Sequence, residues 1–139
     1  MTSVYKLGIQ NKRDLFKMFS VNIWIILINV ILFLVFTILL GAIIINIDSI
    51  AIKPSNILAG KYLWTFFTSM FMHAGFFHLF ANMFSMIFIG SLVQRIIGQK
   101  RFFYFYMLSG LLAGILFVLS AFIFPNDINT YAVGASGAL

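Results

Sequence analysis

His78 and Asn82 stand four residues apart in the apolar stretch FMHAGFFHLFANMFSMIFIG, and Ser136 stands between glycines in YAVGASGAL. These are the residues whose types and spacing carry chemistry. A four-residue spacing puts the imidazole and the carboxamide on one helical face, one turn apart, and Ser85 and Ile89 continue that face. Three readings of the pair are open. The groups bond one another or a backbone carbonyl and serve packing alone. They ligate a metal, although a third protein ligand and a nearby carboxylate are wanting. Or they form a donor pair, because Asn and neutral His both carry N–H groups that can point at a developing oxyanion. His73 is the only other histidine.

Ser136 follows a polar turn, Pro125 to Thr130, and an apolar approach, Tyr131-Ala-Val. A helix starting here would place Ser136 at its amino end, where backbone N–H groups are unpaired and the dipole favours negative charge. That position suits a nucleophile whose acyl adduct lies beside an oxyanion. Gly134 and Gly137 would let neighbouring backbone come close. The alternative is that GASG is a small-residue helix contact.

The elements that position these residues are built for lipid. The chain has 139 residues, 63% of them hydrophobic, with a mean hydropathy of +1.09. Only 9% are charged, against about 25% in soluble domains. Such a chain cannot cover a water-facing surface, so the class is an all-α membrane protein. Three apolar stretches give transmembrane helices over about 18–47, 76–96 and 102–124, and a fourth starts at about 135. Residues 1–17 form a cytoplasmic or interfacial amino-terminal segment, and Leu15, Phe16, Met18 and Phe19 among its charges allow a short interfacial helix from Asn11 to Ser20. Asn22 and Asn29 in the first span bond a neighbouring helix, and Gly110 and Gly114 in the third allow close helix approach.

Composition excludes several chemistries. There is no cysteine, hence no disulfide, thiolate nucleophile or cysteine metal site. Asp14, Asp48 and Asp127 are the only acidic residues, which argues against paired-carboxylate or two-metal mechanisms. The net charge of +6 sits at the edges of apolar runs rather than in a patch with stacking aromatics. Lipid head groups, not nucleic acid, are its partner. Lys6, Lys12, Arg13 and Lys17 precede the first span, and Arg95, Lys100 and Arg101 lie between the second and third, leaving Lys53 and Lys61 for the other side. The positive-inside rule makes the amino terminus cytoplasmic in a multi-pass protein of the plasma membrane. The first loop and the turn before Ser136 then face outward.

In this order, HAGFFHLFAN, GQKRFFYFYMLSG and VGASGAL resemble the rhomboid family of intramembrane serine proteases, over Tyr62 to Leu139. The resemblance implies a truncated rhomboid-like fold, a polytopic helical bundle of three transmembrane helices plus the start of a fourth. It implies Ser136 as nucleophile, His78 and Asn82 as oxyanion donors, and His73, Gly134 and Gly137 as supports of the site. It implies transmembrane protein substrates with a single span, and neither metal nor cofactor. It places the outward loop, from Asp48 to Trp64, partly in the membrane. The sequence departs from the family's pattern at Thr65, where many members have arginine after tryptophan, and at Gln94, where many have glutamate.

The family's catalytic base is a histidine on a later helix, and these 139 residues hold only His73 and His78. The expectation is therefore an amino-terminal part of the protease, inactive alone, with a frayed end from Gly134 to Leu139. A catalytically inactive rhomboid-like protein that binds membrane clients is the alternative. A small helical assembly or transport protein is a third reading. No residue pattern sets an oligomeric state.

Overall fold

Among the described residues, three helices are long and apolar enough to cross a bilayer: Val21–Gly41, Phe76–Ile97 and Gln99–Ser120. At 1.5 Å per residue each is about 30 Å long, the thickness of a hydrocarbon core. The computed structural model describes residues 20–139, so the expected amino-terminal segment 1–17 and most of the interfacial helix lie outside the described residues. In chain order the helices are α1 (Val21–Gly41), α2 (Pro54–Leu58), α3 (Thr65–Thr68), α4 (Phe76–Ser85), α5 (Ser91–Ile97) and α6 (Gln99–Ser120). A π-helical turn, Met86–Gly90, joins α4 to α5. No β-strand forms among the described residues, and the fold is an all-α membrane bundle.

The boundaries have local causes. The Ser20 hydroxyl accepts the Ile23 N–H at 3.4 Å and starts α1. The helix ends at Gly41, short of the apolar run's end near Ile47, where Ile43 turns the chain at a φ of +58°. Pro54 opens α2 at a position where its missing N–H costs nothing. Gly98, at a φ of +84°, both ends α5 and precedes α6, so one glycine reverses the chain between two spans. Helix α6 thus begins at Gln99, ahead of the apolar run, and stops at Ser120.

The core runs between the spans: Ile25 of α1, Leu79 and Met83 of α4, Met86 of the π turn, Phe102 and Tyr106 of α6, with Ala135 and Ala138 of the final turn. A second cluster, Ile50, Ala51 and Met72, lies beneath the loops. Outside this core the spans present large apolar side chains. Phe76, Phe80, Phe84 and Phe88 make a ridge of rings with neighbouring centroids 6.5, 6.0 and 4.7 Å apart, and each is more than half exposed. In lipid such a face needs no protein cover.

Two ends of the bundle differ in polarity. At the Gly98 end, Asn22 reaches from α1 across to the second span. Its Nδ2 donates to the Met86 carbonyl and to Ser91 Oγ, both at 2.8 Å, and its backbone N–H donates to Gln94 Oε1 at 2.8 Å. The π turn disturbs the i to i+4 ladder, and the Asn22 amide supplies a donor to a carbonyl within it. The Gln94 carboxamide caps an otherwise unpaired N–H at the start of α1. Asn29 instead donates to Ile25 of its own helix at 2.8 Å.

Candidate active site

At the loop end, α4 projects His78 and Asn82 from one face, one turn apart. Asn82 is buried and its Nδ2 donates to the His78 carbonyl at 3.0 Å. That bond uses one of its two amide hydrogens. The Ala74 N–H donates to His78 Nδ1 at 3.4 Å, which assigns the proton of the neutral ring to Nε2. What Nε2 meets is Gly134. A Cβ at Gly134 would lie 2.7 Å from both Cε1 and Nε2 of His78 and 3.6 Å from Asn82 Nδ2. The His78 ring edge and Asn82 Nδ2 therefore both lie beside Gly134, two residues before Ser136. Gly134 has a φ of +113°, a conformation side-chain-bearing residues rarely adopt.

The segment that carries Ser136 is fixed on several sides. The Gly134 N–H donates to the Ser69 carbonyl at 2.8 Å, and Ala132 exchanges two backbone hydrogen bonds with Ile52, at 2.9 and 3.1 Å. Residues Ala135–Ala138 then form a 3-10 turn. Ala135 and Ala138 are buried, and a Cβ at Gly137 would meet Ala113 of α6 at 2.6 Å. The expected frayed end is thus a packed turn, because the small surface of α6 at Gly110, Ala113 and Gly114 receives it and the loop side chains Ile52, Phe66 and Met70. Ser136 itself is exposed and lines a cavity of about 180 Å³ with Ser69, Ala113, Gly134 and Gly137. The small-residue reading and the site reading of GASG therefore coexist: its glycines and its alanine pack, and its serine faces open space.

His73 sits behind this pair. Its ring meets that of His78 edge-on at 5.2 Å and that of Phe33 at 6.4 Å. It is buried, and neither nitrogen has a hydrogen-bond partner. Burial first lowers its pKa from 6.5 to about 4, and its electrostatic interaction with the neighbouring His78 acts in the same direction. The Phe71 backbone opposes that shift, but it makes no hydrogen bond of ordinary geometry with the ring. His73 faces a second cavity, of about 430 Å³, lined also by Phe33, Thr37, Met72, Tyr131 and Val133. No cluster of three or more His, Cys, Asp or Glu residues that could hold a metal occurs among the described residues.

The loops supply residues that sequence reasoning missed. Tyr131 donates its hydroxyl to Asp48 Oδ1 at 2.6 Å, and Lys53 lies 3.8 Å from the same oxygen and 5.2 Å from the centre of the Tyr131 ring. The Tyr131 bond first, with help from Asn56 and Lys53, lowers the Asp48 pKa, and the bond to Asp48 raises that of Tyr131. Ser55 donates to Asn129 Oδ1 at 2.9 Å. Trp64 Nε1 donates to the Ser49 carbonyl at 2.9 Å and Thr68 Oγ1 to that of Ile50 at 2.8 Å. Thr65, where an arginine was the expected neighbour of tryptophan, is buried and bonds Tyr62 instead. Separation along the chain hid the pairing of these two loops. Ser69 likewise carries no sequence signal, since its backbone carbonyl does the work.

The family model described as "Rhomboid domain" matches residues 60–139. "RHOMBOID-like protein 1" of Arabidopsis thaliana is 37% identical over 89 residues, 64% of this chain and 21% of that protein. "Inactive RHOMBOID-like protein 8" of the same plant is 35% identical over 74 residues, 53% of this chain and 20% of that protein. The protein named "Putative rhomboid protease YdcA" of Bacillus subtilis (strain 168) is 25% identical over 130 residues, 94% of this chain and 62% of that protein. The chain thus spans about a fifth of the length of the two plant relatives. No solved structure matches the chain.

Proposed function

The chain belongs to the rhomboid family, and we propose that the protein it forms part of is an intramembrane serine endopeptidase acting on single-span membrane proteins. Ser136 is the nucleophile in this reading. The observation that carries it is the convergence of His78 Nε2 and Asn82 Nδ2 on Gly134. Donors placed there stabilise negative charge developing on a scissile carbonyl oxygen attacked by Ser136, together with backbone N–H groups of the serine's own turn. Ser136 Oγ attacks the carbonyl carbon, the C=O electrons move onto oxygen, and the donors hold that oxyanion until the amine leaves.

The serine proton needs a base. His78 is engaged as a donor and His73 is buried behind it, so the base is a histidine outside these 139 residues, and the chain alone is inactive. Gly134 and Gly137 position the turn, and His73 supports the ring of His78. Water and substrate reach the site from the loop end, and the amino terminus lies on the cytoplasmic side of the plasma membrane, consistent with Arg95, Lys100 and Arg101 at the Gly98 end. No cofactor or metal enters this mechanism.

The test is covalent labelling of the full-length protein by a fluorophosphonate probe, with Ser136→Ala beside it. Labelling of the wild type alone supports an activated serine. Equal absence of labelling in both sinks the protease reading and favours a client-binding protein, an outcome made concrete by the resemblance to a relative named as inactive.

A further inference from the structure

Residues 128–134 carry the chain from the end of α6 to the serine turn, and they do not hold themselves in place. Three ties bind them to the loop between α1 and α3. Ser55 takes the Ile128 carbonyl through its N–H at 2.9 Å and Asn129 Oδ1 through its hydroxyl at 2.9 Å. Ile52 pairs with Ala132 in both directions. Tyr131, between these ties, reaches Asp48. The first two involve mainly backbone or lie farther from Ser136, whereas the Tyr131–Asp48 bond is made by two side chains and is charge-assisted.

Tyr131 is also the hinge of the arrangement. Its ring covers Lys53 on one side, and it lines the cavity that His73 faces. Alternate residues in an extended segment point to opposite faces. Anchoring Tyr131 outward therefore turns the Ala132 side chain the other way and sets the register in which Gly134, three residues on, arrives against His78. A slip by one residue would bring Val133 or Ala135 to that place, and a side chain there collides with the imidazole.

We propose that Tyr131 and Asp48 are positioning residues, a clasp outside the membrane-spanning helices that sets how the serine-bearing turn meets the His78–Asn82 donor pair. The proposal rests on the protease reading for its consequence in rate and on geometry alone for its consequence in local order. Misplacement of a reacting group by about 1 Å can cost on the order of 10²-fold in rate, so loosening the clasp is expected to lower kcat about ten- to a hundredfold, with KM and thermal stability close to wild type.

The experiment uses the full-length protein in proteoliposomes with a single-span substrate, comparing Tyr131→Phe, Asp48→Ala and Asp48→Asn. Tyr131→Phe and Asp48→Ala should each lose kcat in that range. Asp48→Asn, which keeps an acceptor oxygen for the tyrosine hydroxyl, should recover most of it. Wild-type kcat in both disruptive variants overturns the proposal, as does a loss that Asp48→Asn fails to rescue or that merely follows a fall in Tm. Amide hydrogen exchange of residues 132–138 provides a readout independent of catalysis. Faster exchange there in Tyr131→Phe, with α1 unchanged, supports the clasp even if the wild type shows no protease activity. Unchanged exchange overturns it.

Discussion

Asn22, on α1 against the second span, and Asn82, on that span itself, are both buried asparagines, one at the Gly98 end and one at the loop end. Asn22 has committed its amide nitrogen twice, to Met86 and to Ser91, and its backbone N–H to Gln94. Asn82 donates one hydrogen bond, to the carbonyl a turn before it, and its nitrogen lies near Gly134. The amide nitrogen is thus fully committed at one end, where only the Asn22 carbonyl oxygen lacks a partner, and keeps a hydrogen in hand at the other. A buried polar group left with spare capacity in a membrane protein marks a place where another charge is expected. Burial and residue type alone do not distinguish the two asparagines. The count of hydrogen bonds already made does.

The largest effect that would test this difference comes from filling the gap between donors and serine turn. Gly134→Ala puts a Cβ 2.7 Å from His78 Nε2 at a backbone φ of +113°. It should displace the His78 ring and strain the serine turn at once, and cost more in labelling rate than the roughly 10²–10³ expected for loss of a single donor. Near-normal labelling would show that Gly134 is not the meeting point. Next is the exchange of roles between the asparagines. Asn82→Ala should lower kcat by roughly 10²–10³ with little change in thermal stability. Asn22→Ala should do the reverse, costing about 1–3 kcal/mol for the orphaned Met86 carbonyl and its neighbours while the folded fraction keeps its rate. If both variants moved stability and rate alike, the contrast drawn from their hydrogen bonds would be broken.

The smallest effect sharpens the contrast through pH. His73 has its folded pKa lowered from 6.5 to about 4, so the unfolded chain takes up the proton first. The stability that neutral His73 secures is complete above pH 6.5 and is lost as pH falls through about 4. His73→Leu should flatten the melting-temperature profile in that window. Asp48, also lowered but from 3.8, acts in the same direction at lower pH and should keep its contribution. An unchanged slope in His73→Leu would assign the acid sensitivity elsewhere.

The sequence made one part of this molecule readable and hid another. The facing of His78 and Asn82 follows from helical period and needs no tertiary information. The spans follow from apolar length, but apolarity measures immersion in lipid rather than helix. It overran α1 toward Ile47, because nothing in hydropathy announces the reversal at Ile43, and it missed the polar first turn of α6 at Gln99 to Arg101. The π turn has no composition of its own, and its partner Asn22 lies 64 residues away from Met86. The clasp was hidden for a similar reason: Asp48 and Tyr131 are 83 residues apart, each in a polar loop where a single acid or tyrosine carries no period. Asn29, expected to bond across helices, bonds its own turn instead, an option that spacing cannot separate from the other.

The distance along the chain between the halves of that clasp also places events in time. Helices form locally within microseconds, whereas contacts between distant segments must first overcome the entropy of closing a long loop. Synthesis runs from the amino terminus, so His78 and Asn82 are in membrane-ready helix before residues 128–139 have been made. The loop that bears Asp48 and Ile52 waits through the synthesis of two further spans for Tyr131 and Ala132 to arrive. Until they meet, Ser136 has no fixed relation to either donor. The serine turn is therefore completed after the His78–Asn82 face, and a chain halted partway through insertion carries that face without an aligned Ser136.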